Sequence, residues 1–457
     1  MQPLRPLVRR FRPFCSCSWR FASTSLRELD RAEVKAVQRK EVKDFVGPKA
    51  NCAIFGAGLT KSGALSIKAS SSLRLLICFV RLQSLVTHPK AAHALLRPTR
   101  IAFLNTKRIR KVAAGLGFSL FASQSILYGC GLNNRHQLGG PMRADGKRHV
   151  DEYFAQAHRI ALPNEPQIVS IAAGRLHSLV GTADGVFAFG DNAHGQCGQN
   201  PDEHPEVAHS LSGLLPRVPL PAGCAPCKQV HCTLDSSFVL LESGELFAFG
   251  LSTDGQLGTG CNDIEWRPER VPIDEEVRFI GGSGDTLVAV AHSGNLYMWG
   301  QVEYGQAAEF TDDVHLRLPT LLRFDFGGSP VRSAATTNTS CVVATADGRV
   351  YTWGSMFLGS GPAVRQSTRP IPLSPHLFAD SSGRNGHVKR VFAGLSTCAA
   401  LNEANHLFTW GSNRHGALGL GHDRDQLFPL QVFLSTDVKT VALGPDHTLI
   451  TASSYYN

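Results

Sequence analysis

Three cysteines in the middle of the chain have a spacing that could bind a metal ion. Cys224 and Cys227 are separated by two residues, Cys232 follows after four more, and His231 is adjacent to it. Two thiolates on such a tight knuckle are common zinc ligands. Because the sequence has no second pair at the usual distance, a loop with buried thiols is the favoured alternative. We therefore predict no metal site and retain Cys224, Cys227 and Cys232 only as weak candidate ligands.

Two histidines are the best candidates for general acid or base chemistry. His177 and His447 occupy matching positions in a strand pattern that recurs along the chain. The same position in other copies holds Phe118, Ser236, Thr286, Ser340 and Thr397. A position that varies so freely is predicted to have a hydrogen-bonded packing role. The sequence also lacks a G-x-x-x-x-G-K-[ST] loop, so we predict no nucleotide hydrolysis, no catalytic residue and no cofactor.

A cluster of basic residues precedes the second copy of the recurring pattern. Its members are Arg97, Arg100, Lys107, Arg108, Arg110 and Lys111, and no Asp or Glu occurs between residues 45 and 144. Such a cluster is suited to phosphate contact, as in nucleic-acid binding; the alternative is a solvated loop and strand edge. Residues 1–144 hold 25 Lys/Arg and 5 Asp/Glu, whereas residues 145–457 hold 21 and 32. A basic surface over the whole protein is therefore not supported.

Seven copies of one pattern indicate a repeat protein. Each copy has an aromatic or small residue, a glycine, a polar turn and a second glycine cluster, as in FGLSTDGQLG at 249–258 and WGSNRHGALG at 410–419. The marker glycines are Gly56, Gly131, Gly190, Gly250, Gly300, Gly354 and Gly411. Their separations of 75, 59, 60, 50, 54 and 57 residues lie in the period range of a repeat array. The adjacent Trp299, Trp353 and Trp410 predict packing between repeats.

Each repeat has the pattern of a small antiparallel sheet. Apolar β-forming residues cluster over four to six positions, an Asp-Gly or Ser-Gly turn follows, as at Asp184-Gly185 and Ser243-Gly244, and an aromatic strand comes next. Glycine at these turns permits a positive φ. Since both faces of such a sheet are apolar, neighbouring repeats must cover them.

The two ends of the repeat region supply complementary parts of one repeat. Residues 441–452 begin a repeat without its aromatic-glycine strand, and residues 52–58 (CAIFGAG) supply such a strand with nothing before it. Pairing the two closes a ring and removes exposed sheet edges. We predict an all-β fold, a seven-bladed β-propeller over residues 52–452. N- and C-terminal strands share one blade, with the strand around Phe55 beside that around Leu449.

These motifs resemble a known family. The GQLG turns, the AAGRLHSL strand at 172–179 and the recurrent WG are similar to the regulator-of-chromosome-condensation repeat, most of all to its mitochondrial branch. The family's founding member opens the nucleotide site of a small GTPase with a β-wedge, for which this chain offers no matching residues. The longer loops at 140–160 and 199–225 are the expected binding positions.

The resemblance to the mitochondrial branch implies an assembly factor for the large mitochondrial ribosomal subunit and its rRNA, partnered by ribosome-assembly proteins. The alternative is nucleotide exchange on a dynamin-like GTPase of inner-membrane fusion.

The N-terminal region has the composition of a mitochondrial presequence. Residues 1–27 contain six arginines, no acidic residue and interleaved apolar and Ser residues, whereas a disordered basic tail is the alternative. We predict a presequence at 1–27, a linker at 28–51 and a tail at 453–457.

Residues 66–96 lack the repeat pattern and are an insertion, either disordered or retained from an intron. Residues 73–86 are too short and too charged for a membrane span. The predicted location is the mitochondrial matrix, with peripheral inner-membrane association as an option.

Overall fold

Seven four-stranded antiparallel sheets, arranged as blades, account for nearly all the regular structure. The structure, a computed structural model, describes residues 52–60, 62–66, 94–140, 152–208, 215–379 and 386–453. Within these ranges the chain forms 28 strands and three short 3₁₀ helices. The prediction of an all-β, seven-bladed propeller is therefore confirmed.

The blades are numbered here in chain order, starting from the first blade that is built from consecutive strands. Blade 1 is β3 (Lys111–Ala114), β4 (Phe118–Ala122), β5 (Leu127–Leu132) and β6 (Tyr153–Ile160); blade 2 is β7 (Ile168–Ala173), β8 (His177–Thr182), β9 (Gly185–Asp191) and β10 (Glu206–Val207); blade 3 is β11 (Cys227–Cys232), β12 (Ser236–Leu241), β13 (Leu246–Leu251) and β14 (Ile264–Arg270); blade 4 is β15 (Val277–Ser283), β16 (Thr286–Ala291), β17 (Leu296–Gln301) and β18 (His315–Leu322).

The remaining blades follow the same plan until the last. Blade 5 is β19 (Val331–Thr336), β20 (Ser340–Thr345), β21 (Val350–Ser355) and β22 (Gln366–Leu373); blade 6 is β23 (Val388–Ala393), β24 (Thr397–Asn402), β25 (Leu407–Gly411) and β26 (Gln426–Val432); blade 7 is β27 (Val438–Leu443), β28 (His447–Ser453), β1 (Cys52–Leu59) and β2 (Ala94–Arg100). The 3₁₀ helices are Ala102–Lys107, Pro375–Phe378 and Arg414–Gly416.

Blade 7 joins the two ends of the repeat region. Strand β1 pairs with β28 over seven residues, from Cys52 opposite Ser453 to Gly58 opposite His447, so the predicted pairing is present. The N-terminal part supplies two strands, because β2 pairs with the other edge of β1. Ala94–Leu96, which the repeat pattern assigned to the insertion, lie in β2. Residues 67–93 of that insertion lie outside the described residues, as do residues 1–51 and 454–457.

A glycine near the end of each third strand sets how closely the strands approach. At Gly190 φ is +122°, and an added Cβ would lie 2.4 Å from the carbonyl oxygen of Leu176. Gly58, with φ +111° and an added Cβ 2.6 Å from the carbonyl oxygen of Asp446, has the equivalent contacts in blade 7. The first marker glycine is therefore Gly58 rather than Gly56. Phe55-Gly56 has the aromatic-glycine sequence of the other repeats. Gly58, however, is the residue that contacts the backbone of the neighbouring strand, as the marker glycines of the other blades do.

Tryptophans fill the spaces between blades, as the sequence predicts. Trp299, Trp353 and Trp410 are fully buried. The Nε1 of Trp299 donates to the carbonyl oxygen of Gln256 at 3.0 Å. The ring also lies so close to Gly258 that an added Cβ there would be 2.7 Å from Cδ1. Trp353 bonds the carbonyl of Gln306 in the same way at 2.8 Å. Each of these contacts joins consecutive blades and makes the ring stiff.

The first strands of the blades surround a central channel. The lining includes residues of β3, β7, β11, β15, β19, β23 and β27, and the cavity has a volume of about 460 Å³. All seven strands run in the same direction, because each blade repeats the same strand order. We call the face at which they begin the leading face, and the face at which they end the trailing face. Among the described residues no helix is long and apolar enough to cross a membrane.

Candidate functional site

The three candidate metal ligands do not come together. Cys227 and Cys232 lie at opposite ends of β11, opposite Leu241 and Ser237 of the neighbouring strand. Five residues of extended strand separate them by about 16 Å, which no single zinc ion spans. Burial, followed by the nearby negative charges, raises the pKa of Cys227 to about 12, so the thiol is protonated at neutral pH. The described residues contain no group of three His, Cys, Asp or Glu side chains arranged for a metal.

The two histidines bridge neighbouring blades. His177 Nε2 lies 3.0 Å from Ser237 Oγ, and His447 Nε2 lies 2.7 Å from Ser119 Oγ. Both rings are completely buried. Burial, with a smaller contribution from Arg175, lowers the pKa of His177 to about 3, so this ring is neutral. The histidines thus have the hydrogen-bonded packing role that the sequence predicts.

The histidine of blade 7 lies in a hydrogen-bonded series of side chains that resembles the catalytic triad of a hydrolase. His447 Nδ1 lies 2.7 Å from Asp446 Oδ1, which places Asp446, His447 and Ser119 in the order carboxylate, imidazole, hydroxyl. Burial acts to raise the pKa of Asp446, but the hydrogen bond and charge of His447 together with the Gly117 amide lower it. The Ser119 hydroxyl is sealed between blades 7 and 1 with no exposed surface. Since no substrate can reach it, the chain of groups fastens the closing blade to blade 1.

Most of the basic cluster of the sequence lies at the leading face, between the end of β2 and the start of β3. Arg97 and Arg100 lie on β2, Lys107 ends a 3₁₀ helix, Arg110 directly precedes β3, and Lys111 begins it. Arg97 is the member farthest from the leading face, because its side chain lies beside Gly421 of the β25–β26 loop. The cluster, which we call the basic track, therefore runs from the outer strand of blade 7 to the inner strand of blade 1. It comprises Arg97, Arg100, Lys107, Arg108, Arg110 and Lys111.

The surroundings of the basic track keep it positively charged. The ammonium of Lys107 lies 5.3 Å from the ring centre of Phe103 and 5.7 Å from that of Tyr128. Burial and then the charge of Arg110 lower the pKa of Lys111, whereas Arg110 is itself exposed. No acidic residue lies between positions 94 and 111, whereas the corresponding connection before blade 4, residues 271–276, holds three. The connection into blade 1 is thus cationic, whereas the connection into blade 4 is acidic.

Sequence reasoning missed a second set of basic residues on the same face. Each inner strand begins at, or just after, a buried apolar residue or cysteine. In six of the seven blades the next residue is Lys or Arg: Arg110, Lys228, Arg278, Arg332, Lys389 and Lys439. Blade 2 has Val169 instead. The recurring Lys or Arg is visible in the sequence of the repeats. That these residues form a ring can be inferred only once the first strands are known to surround one channel. We call these six residues the basic ring.

Aspartates occupy three of the turns on the trailing face. Asp235, Asp285 and Asp446 occupy the turns that follow inner strands, and Arg175 bonds both carboxylate oxygens of Asp235. Burial and then the charges of Asp254 and Asp235 raise the pKa of Asp285. These aspartates bond the side chains of Arg175, Gln256 and His447 and do not line the cavity.

The loops expected to carry binding residues are shorter than the sequence suggested. Residues 153–160 form strand β6, so only the first part of the 140–160 stretch connects strands. Glu206 and Val207 in the second stretch form β10, and Glu206 accepts a hydrogen bond from Arg135 of blade 1 at 2.8 Å. Residues 141–151 and 209–214 lie outside the described residues.

Comparisons with known proteins agree with this architecture. Family models described as regulator of chromosome condensation (RCC1) repeats match residues 243–288, 405–451 and 168–196. The human RCC1-like G exchanging factor-like protein is 35% identical over 362 residues, covering 76% of this chain and 77% of that protein. The crystal structure of human WBSCR16 matches with a TM-score of 0.75 and 32% identity over 88% of this chain and 99% of that chain. Prp20p of Saccharomyces cerevisiae shares the fold at 17% identity, with a TM-score of 0.69 over 92% and 95% of the two chains.

Proposed function

The chain belongs to the regulator of chromosome condensation family, and we propose that it is a mitochondrial binding protein that assists assembly of the large ribosomal subunit by holding its rRNA. The observation that carries the proposal is the basic track on the leading face, with no acidic residue between positions 94 and 111. Cations on a rigid scaffold bind phosphates without reading sequence, which suits a folding or assembly role. The stiff ring presents the track in one fixed geometry, so little ordering entropy is lost on binding.

The test is charge reversal at two exposed members of the track. Arg97 and Arg108 are exposed, and their side chains make no hydrogen bond or ion pair with any described residue, so Arg97→Glu/Arg108→Glu should fold normally. Binding of purified protein to large-subunit rRNA fragments should weaken by at least about tenfold. The salt dependence should fall by roughly 0.7 in slope for each lost phosphate contact. Arg317→Glu/Arg365→Glu changes two exposed arginines outside the track and is the matched control.

Two outcomes would count against this role. If the track variant and the control bind rRNA equally, the track does not hold the RNA. If tagged wild-type protein from mitochondria brings down large-subunit rRNA no better than small-subunit rRNA, the proposed partner is wrong. The first experiment tests the surface, and the second tests the biological assignment.

Nucleotide exchange is the second candidate function, and the name of the 35% identical human relative, RCC1-like G exchanging factor-like protein, favours it. In this proposal the ring accelerates GDP release from a mitochondrial dynamin-like GTPase of inner-membrane fusion. Release of a fluorescent GDP analogue, measured with and without stoichiometric propeller, tests it directly. An unchanged rate with candidate mitochondrial GTPases would eliminate the exchange role while leaving RNA binding intact.

The location in the matrix, with peripheral contact to the inner membrane, belongs to the same proposal. It rests on the composition of residues 1–27. Import into isolated energised mitochondria should need the six arginines of that segment. Replacing them with glutamine should abolish import and processing, and import that persists would contradict the proposal.

A further inference from the structure

The inner wall of the channel is positively charged along its first half. The seven inner strands contain no Asp or Glu. Five members of the basic ring lie near the mouth on these strands, Arg110 directly precedes β3, and Arg390 on β23 is one position deeper. Because the strands run in parallel around one axis, these charges form a layer at the leading mouth.

Several members of the ring already have partners. Arg332 forms an ion pair with Glu403 at 2.6 Å, and Arg278 donates to the carbonyl oxygens of Val331 and Arg332 at 2.9 and 2.8 Å. Lys389 bonds the side-chain oxygen of Asn405. These cations fasten the rim of the mouth, although Arg278 and Lys389 keep their net charge.

Two cations that line the cavity are different. Lys228 and Arg390 line the channel, and neither side chain makes a hydrogen bond or ion pair with any described residue. The guanidinium of Arg390 lies 4.9 Å from the ring centre of Phe392 and 6.0 Å from that of Phe279, which is in blade 4. Stacking on two aromatic faces orients the guanidinium while leaving its N–H groups free to donate.

Arg390 and Lys228 are the cations that an anion in this cavity can reach. Partial burial lowers the pKa of Arg390, but its side chain keeps exposed surface at the channel wall. The neighbouring His231 cannot compete for an anion, because burial lowers its pKa to about 4 and its ring bonds the carbonyl of Gly282 at 2.8 Å. An anion that enters the channel can therefore reach the guanidinium of Arg390 directly.

The charges around the mouth limit the size of that anion. Glu276, Glu403 and Asp437 lie beyond the ring, at the connections and hairpins of the leading face. A long polyanion lying flat over the mouth would cross these carboxylates and be repelled. The second half of each inner strand, towards the trailing end, holds no Lys or Arg. The region that attracts an anion is therefore confined to the first half of a cavity of about 460 Å³, a volume typical of small-ligand sites.

From this arrangement we propose that the leading half of the channel binds a compact phosphate-bearing group, with Arg390 and Lys228 as its direct contacts. Arg390 donates its planar pair of N–H groups to two phosphate oxygens, and Lys228 supplies a point charge from blade 3. The same chemistry is offered by a free polyphosphate and by the phosphorylated end of an RNA chain. The site is distinct from the basic track and does not depend on the rRNA role.

The first experiment titrates the full chain with sodium tripolyphosphate in a calorimeter at two salt concentrations. We expect a single site whose affinity falls with salt. Arg390→Met/Lys228→Gln should lower that affinity by at least about tenfold, equivalent to one lost charge-assisted contact. Methionine preserves the packing against Phe279 and Phe392, and removal of an unpaired cation should not lower the melting temperature. The control Arg317→Gln/Arg365→Gln should bind within about twofold of the wild type.

Further arms of the experiment separate the sources of the phosphate. A short RNA with a 5′-triphosphate that binds through Arg390, when its 5′-hydroxyl counterpart does not, identifies a chain end as the ligand. Equal binding of the two RNAs through the same residues would overturn the proposal of a compact ligand. So would undetectable tripolyphosphate binding by folded wild type, binding unchanged in the double variant, or tighter binding of a polyglutamate peptide through the same residues. Arg97→Glu/Arg108→Glu should retain tripolyphosphate binding, so failure of the rRNA role would leave this result unaffected.

Discussion

The closure of the ring in blade 7 can be tested with an engineered disulfide, because Cys52 lies directly opposite Ser453. Directly opposed side chains of antiparallel strands project to the same face with Cβ atoms about 4.5–5.5 Å apart. Small rotations bring this separation within the range of a disulfide. Ser453 is half-buried at the end of β28, so Ser453→Cys should be accommodated without disturbing the blade.

The size of the expected stabilisation follows from the sequence separation. A bond between positions 52 and 453 closes a loop of about 400 residues, for which the chain-entropy relation gives about 6 kcal/mol at 25 °C. Engineered bonds usually achieve less because of strain, so about 3–5 kcal/mol is the expected gain. With an unfolding entropy of about 2 cal/mol/K for each residue, this corresponds to an increase of roughly 4–6 °C in Tm.

The assay compares oxidised and reduced protein. Mild oxidation of Ser453→Cys should produce a faster-migrating band on a non-reducing gel, a cross-linked peptide containing residues 52 and 453, and the increase in Tm. Buried thiols should react slowly, because burial raises the pKa of Cys227 and Cys398 to about 12. Cys52→Ser/Ser453→Cys is the matched control and should show none of these changes. A Cys52 that stays accessible to alkylation but never joins the cysteine introduced at position 453 would refute the closure of blade 7.

Three further predictions concern the interior. His177 and His231 are neutral in the folded protein, with pKa values lowered to about 3 and about 4. Below about pH 6.5 the unfolded chain therefore binds protons that the folded chain does not. The free energy of unfolding should decrease by about 1.4 kcal/mol for each histidine and each unit of decrease in pH. His177→Asn should reduce that slope between pH 6 and pH 5 in urea titrations; an unchanged slope would be inconsistent with a neutral ring. Burial raises the pKa of Asp285, so its carboxylate is unfavourable above its folded pKa, and Asp285→Asn should raise Tm at pH 7 by an amount that disappears in acid. Gly190→Ala should lower the free energy of unfolding by about 2–3 kcal/mol or more, because the added Cβ would lie 2.4 Å from a backbone atom. Gly223→Ala, with φ +77° and open space around it, should lower it by only about 1 kcal/mol. Equal losses of stability in thermal unfolding would contradict the steric argument.

The repeat pattern was sufficient to predict the ring and its closure, because each repeat has glycines and aromatics at fixed positions. It was insufficient for the outer strands. Strand β2 is half-exposed and contains Pro98, so it has neither an alternating pattern nor the turn glycines, and Ala94–Leu96 were assigned to the insertion. The choice between Gly56 and Gly58 also needed the structure, since the distinguishing contacts are with Asp446 and His447, almost 400 residues later.

The candidate sites show why spacing along the chain is a limited guide to chemistry. The spacing of Cys227 and Cys232 is compatible with metal binding on a folded loop, but on one extended strand it places the two thiols far apart. The cluster from Arg97 to Lys111 was identified because its members are close in sequence. Lys228 and Arg390 are separated by more than 160 positions, and only the order of the blades brings them to one cavity.

A repeated position in a propeller becomes a layer around the axis, because all the inner strands run in the same direction. A residue type that recurs at the second position of the inner segments therefore forms a ring of charge, even when each copy looks like an ordinary exposed lysine or arginine. The same geometry gathers Asp235, Asp285 and Asp446 on the trailing face. The net charge of the propeller body consequently says little about what it binds, since the charges are separated along the channel axis. A polyanion that this protein binds should approach the leading face.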